Sequence, residues 1–449
     1  MKFLIKTYGC QMNERDSESV AALLLAHGHE AASLETEADV IIVNTCSVRA
    51  KAEHKALGKL GLLVAGKREF PGRRVGVMGC MAQRMKEAAF RKVPGLDFAV
   101  GTHRLANVPG ILERVMKNGG PVLDAGEGEE QWEALAGHVA TGSGVSRFVN
   151  ILFGCSRRCS YCVVPAVRGE EWSRPAAAVM AEVKRLADSG VREITLLGQS
   201  VMSYGRAQAV WADGPVSRRG FQEPFARLLE AVNDVEGIRR IRFTSGHPSG
   251  CTDELARAMK ELPAVCEHLH LPLQSGSDRI LGLMRRGYAA DDYRRAVERL
   301  RAAVPGMAFT TDIIVGFPTE TADDFEKTRQ LMEEIRFDNA FVFKYSPRPG
   351  TPAAEWSDDV PADEKARRNQ VLLADLDRRA MVRHQALIGR EVEVLVEGTS
   401  LRNESRWAGK TRTNMTAVFE PVDGLAPGAL VRIRLTRATP QTFYGDIIL

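Results

Sequence analysis

Apolar residues in this chain fall into short runs separated by stretches of helical periodicity, and the alternation continues to about residue 380. Lys2–Cys10, Asp39–Cys46 and Arg74–Cys80 each read as an apolar strand ending at a cysteine. Runs without a polar face are typical of parallel strands covered by helices on both sides. Helical stretches follow each one, at Glu14–His27, Val48–Lys67 and Gln83–Lys92. Strand and helix in strict alternation predict a small doubly wound α/β domain over residues 1–117.

Residues 118–146 break the pattern. Gly119-Gly120, Gly126, Gly128 and Thr141-Gly142-Ser143-Gly144 surround an acidic stretch and read as a linker. From Arg147 a second series begins, with strands at Arg147–Phe153, Glu193–Gly198, Arg240–Thr244, His268–Leu273, Phe309–Val315 and Asn339–Tyr345. Six βα units over residues 147–380 predict a partial or complete barrel of the TIM type. A charged helix over 361–388 leads into residues 381–449, where the pattern changes to short strands with turns. These fall at Glu391–Glu397, Thr416–Glu420, Ala429–Thr436 and Thr442–Leu449 and predict a small OB-like β-barrel. The fold class is α/β: a doubly wound domain, a central TIM-like βα barrel and a C-terminal β-barrel.

In open parallel sheets and βα barrels alike, ligands gather at the carboxyl ends of the strands. Cys10, Cys46 and Cys80 occupy that position on three strands of the first domain and form one three-thiol set. A second set is compressed into one loop, Cys155-Ser156-Arg157-Arg158-Cys159-Ser160-Tyr161-Cys162. Closed zinc sites take four ligands, and no fourth His or Cys lies near this loop. Thiolates also hold iron–sulfur cubes, and three of them on a four-iron cube leave one iron open to a small molecule. Later strand ends carry Gln199, then His247, then Gln274 and Ser275.

Composition narrows the class. At 449 residues, 44% hydrophobic and 26% charged, the chain is long enough for several ordinary globular domains. No apolar run reaches the length of a membrane span, and Met1–Lys6 lacks a signal-peptide core, so a cytoplasmic protein without membrane contact is expected. Eight cysteines in a reducing compartment point to metal or catalysis rather than disulfides. A net charge of +4 permits an anionic partner without requiring one. Basic residues do cluster in the last domain, at Arg402, Arg406, Lys410 and Arg412 and again at Arg432, Arg434 and Arg437. Trp407, Phe419, Phe443 and Tyr444 are available there for stacking on bases, and RNA binding is the expectation.

The C-x3-C-x-Tyr-C spacing resembles the signature of radical S-adenosylmethionine (SAM) enzymes, and Val163-Val164-Pro165, Arg168-Gly169 and Ser173-Arg174-Pro175 resemble its methylthiotransferase branch. Tyr8-Gly9-Cys10-Gln11-Met12-Asn13, Asn44-Thr45-Cys46-Ser47-Val48-Arg49 and Gly79-Cys80-Met81-Ala82-Gln83-Arg84 are similar to that branch's first domain. Gly409-Lys410-Thr411-Arg412-Thr413-Asn414 is similar to a TRAM domain motif, with Lys410 and Thr413 as departures. Across nearly the whole chain the resemblance is to the MiaB family, the tRNA-2-methylthio-N6-dimethylallyladenosine synthases. The runs Leu271–Asp278, Asp312–Pro318 and Tyr345–Ala354 look most like it. Ser200 and Met202 stand where the family pattern has two asparagines beside the site, and its T-T-S-H-P ending reads Thr244-Ser245-Gly246-His247-Pro248 here.

The resemblance implies two [4Fe-4S] clusters. One, on Cys155, Cys159 and Cys162, would bind SAM and generate a 5′-deoxyadenosyl radical. The other, on Cys10, Cys46 and Cys80, would carry the sulfur. An aromatic C–H bond offers acid–base side chains no route to sulfur insertion, so a cofactor must supply the radical. The implied substrate is isopentenyladenosine at position 37 in a tRNA anticodon stem-loop. Threonylcarbamoyladenosine in tRNA and an aspartate of a ribosomal protein are the alternatives. Tyr161, Gln199, Gln274 and Ser275 are candidate SAM contacts. Arg168, Arg174, Arg286 and Arg348 are candidates to meet carboxylate or phosphate. Asn13, Asn44 and Arg49 flank the sulfur-carrying set, either orienting ligands or capping turns. His247, His270, Cys251 and Cys266 read as structural. An electron donor such as a flavodoxin or ferredoxin and a monomeric state complete the expectation.

Overall fold

The computed structural model describes residues 1–47, 50–126, 135, 144–211 and 217–448. Its first layer is a six-stranded sheet of β1 (Lys2–Tyr8), β2 (Glu30–Ala31), β3 (Val40–Thr45), β4 (Arg74–Met78), β5 (Phe98–Val100) and β6 (Val122–Asp124). The strand order is β2-β1-β3-β4-β5-β6 and every pairing is parallel. β3 is buried at all six positions, which explains why Val40-Ile41-Ile42-Val43 shows no alternation. The order reverses between β1 and β3, and that switch point opens the crevice where such sheets bind ligands. Cys10 and Cys46 follow the two strands that flank it.

The sheet runs further than residue 117. β6 pairs with β5 at Phe98↔Val122, so the segment read as a linker over 118–146 supplies a strand. Three residues between glycine pairs are too few to show a period. Residues 127–134 and 136–143 of that segment lie outside the described residues, as do Val48 and Arg49.

The central unit holds β7 (Ser146–Asn150), the short antiparallel pair β8 (Leu152–Phe153) and β9 (Trp172–Ser173), then β10 (Glu193–Leu197), β11 (Arg240–Phe243), β12 (His268–His270), β13 (Ala308–Val315) and β14 (Asn339–Lys344). Parallel pairing gives β11-β10-β7 and β12-β13-β14, and the Ile241↔Val265 bridge just ahead of β12 brings the two sets side by side. The result is a six-stranded partial barrel. Its helices cover one face, burying Ile194, Ile241, Leu269, Phe309 and Ile313 completely. Local chemistry sets the helix starts. Before the helix Ala322–Ile335, Thr321 Oγ1 accepts from the Asp324 N–H at 3.2 Å, and Asp324 Oδ2 accepts from the Thr321 N–H at 3.0 Å.

The C-terminal unit is a closed barrel of β15 (Glu391–Ser400), β16 (Asn403–Thr411), β17 (Thr416–Phe419), β18 (Leu430–Ala438) and β19 (Thr442–Ile447). β16 occupies the segment read above only as a basic run. Its residues from Asn403 to Ala408 are all exposed or half-buried, so the strand period is hidden by polar side chains. Phe419 and Phe443, offered above for base stacking, fill the barrel core instead. Arg412 is not a free cation. It makes a bidentate pair with Glu267 at 2.7 and 2.8 Å and donates to Val265 O and Pro263 O.

That pair belongs to a wider seam. Arg240 donates to Lys410 O at 2.5 Å, and Arg242 to Thr411 O at 2.7 Å and Arg412 O at 2.9 Å. Arg240 and Glu193 are the first residues of β11 and β10, so the small barrel closes the amino ends of the strands. Arg242 also donates to Glu193 Oε2 at 2.8 Å, with both side chains nearly buried. Removing one partner of such a pair leaves a buried charge. Arg242→Met is therefore expected to cost about 3–5 kcal/mol, read by denaturant unfolding, with hydrogen exchange rising first along the seam.

Candidate active site

The first thiol set sits where the sheet topology puts it. Cys10 precedes the helix Gln11–Ala26, Cys46 follows β3, and Cys80 opens the helix Cys80–Met85. Cys80 is preceded by Gly79 at φ +91°, where a Cβ would stand 2.3 Å from Asn44 Oδ1, so only glycine admits this turn. Asn13 and Asn44 build the floor. Asn13 Nδ2 donates to Asn44 Oδ1 at 3.1 Å, Asn44 Nδ2 donates to Asn13 O at 2.8 Å and to Ser17 Oγ at 2.9 Å, and Asn13 Oδ1 accepts from Cys10 Sγ at 3.4 Å. A hydrogen bond with Cys46 pulls the Cys10 thiol down to about 6, against the cost of burial. Burial raises the Cys80 thiol, opposed by Arg168, which also hydrogen-bonds it.

The second set is held by the loop after β8. Gly154, at φ +67°, has Glu170 O 1.9 Å from where a Cβ would lie. Cys155 N–H donates to Gly169 O and Cys162 N–H to Cys159 O, both at 3.1 Å, folding the loop back on itself. Burial raises the Cys155 thiol and takes Cys162 up to about 12, and the neighbouring Cys159 raises both further. Thiols held protonated by burial lose their protons to solvent when a metal binds, because only the thiolate is a ligand. Arg286 Nη1 stands 3.3 Å from Cys159 Sγ and 3.5 Å from Tyr161 Oη. Among the described residues no three His, Cys, Asp or Glu side chains are set to hold a single metal ion. A four-iron cube takes its thiolates on separate irons, which suits three thiols spread around a loop.

The two sets face each other across one short segment. Val163, next to Cys162, and Val167 pack directly on Cys80. On the other side Met12 packs with Phe153 and Leu197, and Cys10 lies against them. Arg168 ends the helix Val164–Arg168 and donates to Asp16 Oδ2 at 2.6 Å, with both side chains buried. Glu182 takes Arg174 at 2.7 Å on one oxygen and Arg15 at 2.9 Å on the other. Arg168 and Arg174 thus meet carboxylates of the protein itself, and they fasten the first sheet to the barrel. Arg348 lies near Glu53, Arg84 and Cys46, which ties the last barrel strand's loop to the same junction.

The remaining candidates spread around the strand ends. Gln199 Oε1 and Asn150 Oδ1, at the ends of β10 and β7, are buried without a hydrogen-bond partner among the described residues. Two unanswered acceptors at neighbouring strand ends could take a polar donor from a bound ligand. Asn150 escaped sequence reading because a lone asparagine inside an apolar strand carries no motif. Tyr161 meets Phe317 edge-on at 6.4 Å. Gln274 is held at φ +72°, a strained conformation for a residue with a side chain. The Ser275 hydroxyl is engaged with Thr328 at 3.2 Å and accepts from the Ser277 N–H. His247 Nδ1 accepts from the Ser249 N–H, and burial drops its pKa to about 3. Cys251 and Cys266 are buried away from both thiol sets.

Comparison with known proteins places the chain in a family. Residues 2–101 match the uncharacterized protein family UPF0004, residues 149–332 the radical SAM superfamily, and residues 385–448 the TRAM domain. A tRNA-2-methylthio-N(6)-dimethylallyladenosine synthase from Akkermansia muciniphila is 46% identical over 99% of this chain and 98% of its own length. One from Moorella thermoacetica is 45% identical, with the same coverage of both chains. The chain belongs to this synthase family. Among solved structures, the radical S-adenosylmethionine methyltransferase TsrM from Kitasatospora setae superimposes with a TM-score of 0.59 at 16% identity. The match covers 79% of this chain and 75% of that one, and supports the fold. As a family member the protein is a transferase with a radical SAM domain and a C-terminal TRAM barrel.

Proposed function

We propose that this chain converts N6-isopentenyladenosine at position 37 of tRNA to its 2-methylthio derivative. The observation that carries the reading is the packing of Cys80 on Val163 and Val167, which sets one thiol triad against the other. Cys155, Cys159 and Cys162 would hold the cluster that binds SAM and supplies radical chemistry at adenine C2, and Cys10, Cys46 and Cys80 would hold the cluster that supplies sulfur. The protein's own part is placement and dryness. Met12, Phe153 and Leu197 seal the space beside Cys10, and Arg286 holds Cys159 and Tyr161 in one frame. Asn150 and Gln199 supply acceptors for SAM. The electron arrives from a flavodoxin- or ferredoxin-like donor, and the enzyme works as a monomer in the cytoplasm. No described helix is long and apolar enough to cross a membrane.

Nucleoside mass spectrometry of tRNA from cells lacking the protein tests the substrate. Isopentenyladenosine is expected to accumulate and its 2-methylthio form to vanish. Accumulated threonylcarbamoyladenosine, or unchanged tRNA with an unmodified ribosomal aspartate, would assign the chain to another substrate.

A further inference from the structure

One face of the β12–β13–β14 sheet is unlike the rest of the barrel. Phe309, Ile313 and Val315 on β13 are fully buried in the helix-covered core, with Val342 of β14 packed against it. The alternate residues point the other way, into the barrel lumen. In register there, Phe341 lies opposite Asp312 and Phe343 opposite Ile314. Phe341 is 49% exposed, although it sits within a strand. Its ring stacks on Phe343, with centroids 6.4 Å apart and an 18° tilt. His270 approaches Phe341 edge-on at 6.2 Å and stands 3.3 Å from Asp312 Oδ2.

We infer that this lumen wall receives the substrate base, with Phe341 as the surface on which the apolar N6 substituent lies. This rests on the isopentenyladenosine reading above and deepens it.

Three observations commit the wall to this occupant. Its upper end is continuous with the radical loop, because Ile314 and Tyr161 pack in one apolar cluster. Its lower end is bounded by the small barrel, because Arg412 pairs with Glu267 just ahead of β12 while Arg240 and Arg242 on β11 hold the carbonyls of Lys410, Thr411 and Arg412. A slot along this wall, entered from the radical loop and bounded below, would accept a base turned out of its stack. The chemistry matches a substituted adenine. Phenylalanine faces stack on any base and bury a prenyl group, and the Asp312 carboxylate accepts from the N6–H. When C2 faces the radical loop, the N6 substituent points down the slot, toward Phe341 rather than Phe343.

The experiment uses the full-length enzyme with its clusters in place and two synthetic anticodon stem-loop RNAs. One carries N6-isopentenyladenosine at position 37 and the other unmodified adenosine there. Fluorescence anisotropy reads both affinities. The wild-type enzyme is expected to prefer the isopentenyl RNA by about tenfold, the scale set by burying a few methylene-sized groups. Phe341→Ala should shrink that preference to about twofold or less by weakening only the isopentenyl RNA. Phe341→Leu, which restores an apolar wall, should recover part of it. Because Phe341 is half exposed, the substitutions leave the core intact, and circular dichroism checks this. A Phe341→Ala enzyme that keeps the full wild-type preference overturns the inference alone. A wild-type enzyme with no preference at all counts against the substrate reading.

Discussion

Replacing Cys155, Cys159 and Cys162 together by alanine is expected to remove about half of the iron bound after anaerobic reconstitution and to end SAM cleavage. 5′-Deoxyadenosine release should fall to that of a mixture without protein, because the C-x3-C-x2-C loop is the element that matches the radical SAM signature. The fold should survive. Cys155 and Cys159 are buried in a loop, and each substitution removes one sulfur without stranding a charge. The measurement is chromatography of 5′-deoxyadenosine beside iron and sulfide analysis. Continued cleavage by the triple variant would place the radical chemistry elsewhere and undo the assignment of this loop.

The second large effect separates the two triads. With Cys10, Cys46 and Cys80 replaced by alanine, SAM cleavage is expected to continue while methylthiolated RNA disappears. The reason lies in the architecture. These cysteines end strands of the first sheet, whereas the loop from Gly154 to Cys162 is braced by its own hydrogen bonds and by Met284 O and Ala353 N–H on either side of Ser160. Losing one triad therefore leaves the other's frame standing. Mass spectrometry of the RNA and chromatography of 5′-deoxyadenosine from the same reaction read the split. Methylthio product from this variant would remove the first sheet from the sulfur-carrying role.

Much of this arrangement was legible from strand ends alone. Fully apolar runs such as Val40–Val43 identify parallel strands, and a cysteine just beyond each one is placed by topology before any contact is known. Pairing between distant segments was not legible. Nothing in the sequence announces that Arg168 will find Asp16, or that Glu182 will take both Arg15 and Arg174, because a buried ion pair has no period and no fixed spacing. The last domain shows the opposite error. Arg412 and Phe443 read as nucleic-acid contacts by residue type, yet one is consumed by Glu267 and the other by the barrel core. Residue type indicates what a side chain is able to bind, and burial decides what it binds. β16 was missed for a related reason. Strands of closed barrels need only one apolar face, and a run of Glu404, Ser405 and Arg406 conceals it. Phe341 was visible in the sequence only as one more apolar strand position, and its exposure became apparent once β14 had a partner on one side only.

The seam at Arg240 and Arg242 fixes where the small barrel stands. It lies at the amino ends of the strands, whereas the thiol loop follows their carboxyl ends. The strands between them set a gap of about 26 Å along the eight residues of β13 at about 3.3 Å per residue. With three carbonyls clamped by two arginines, that gap cannot stretch like a tether. An RNA that touched both the small barrel and the thiol loop would therefore meet them at a fixed spacing.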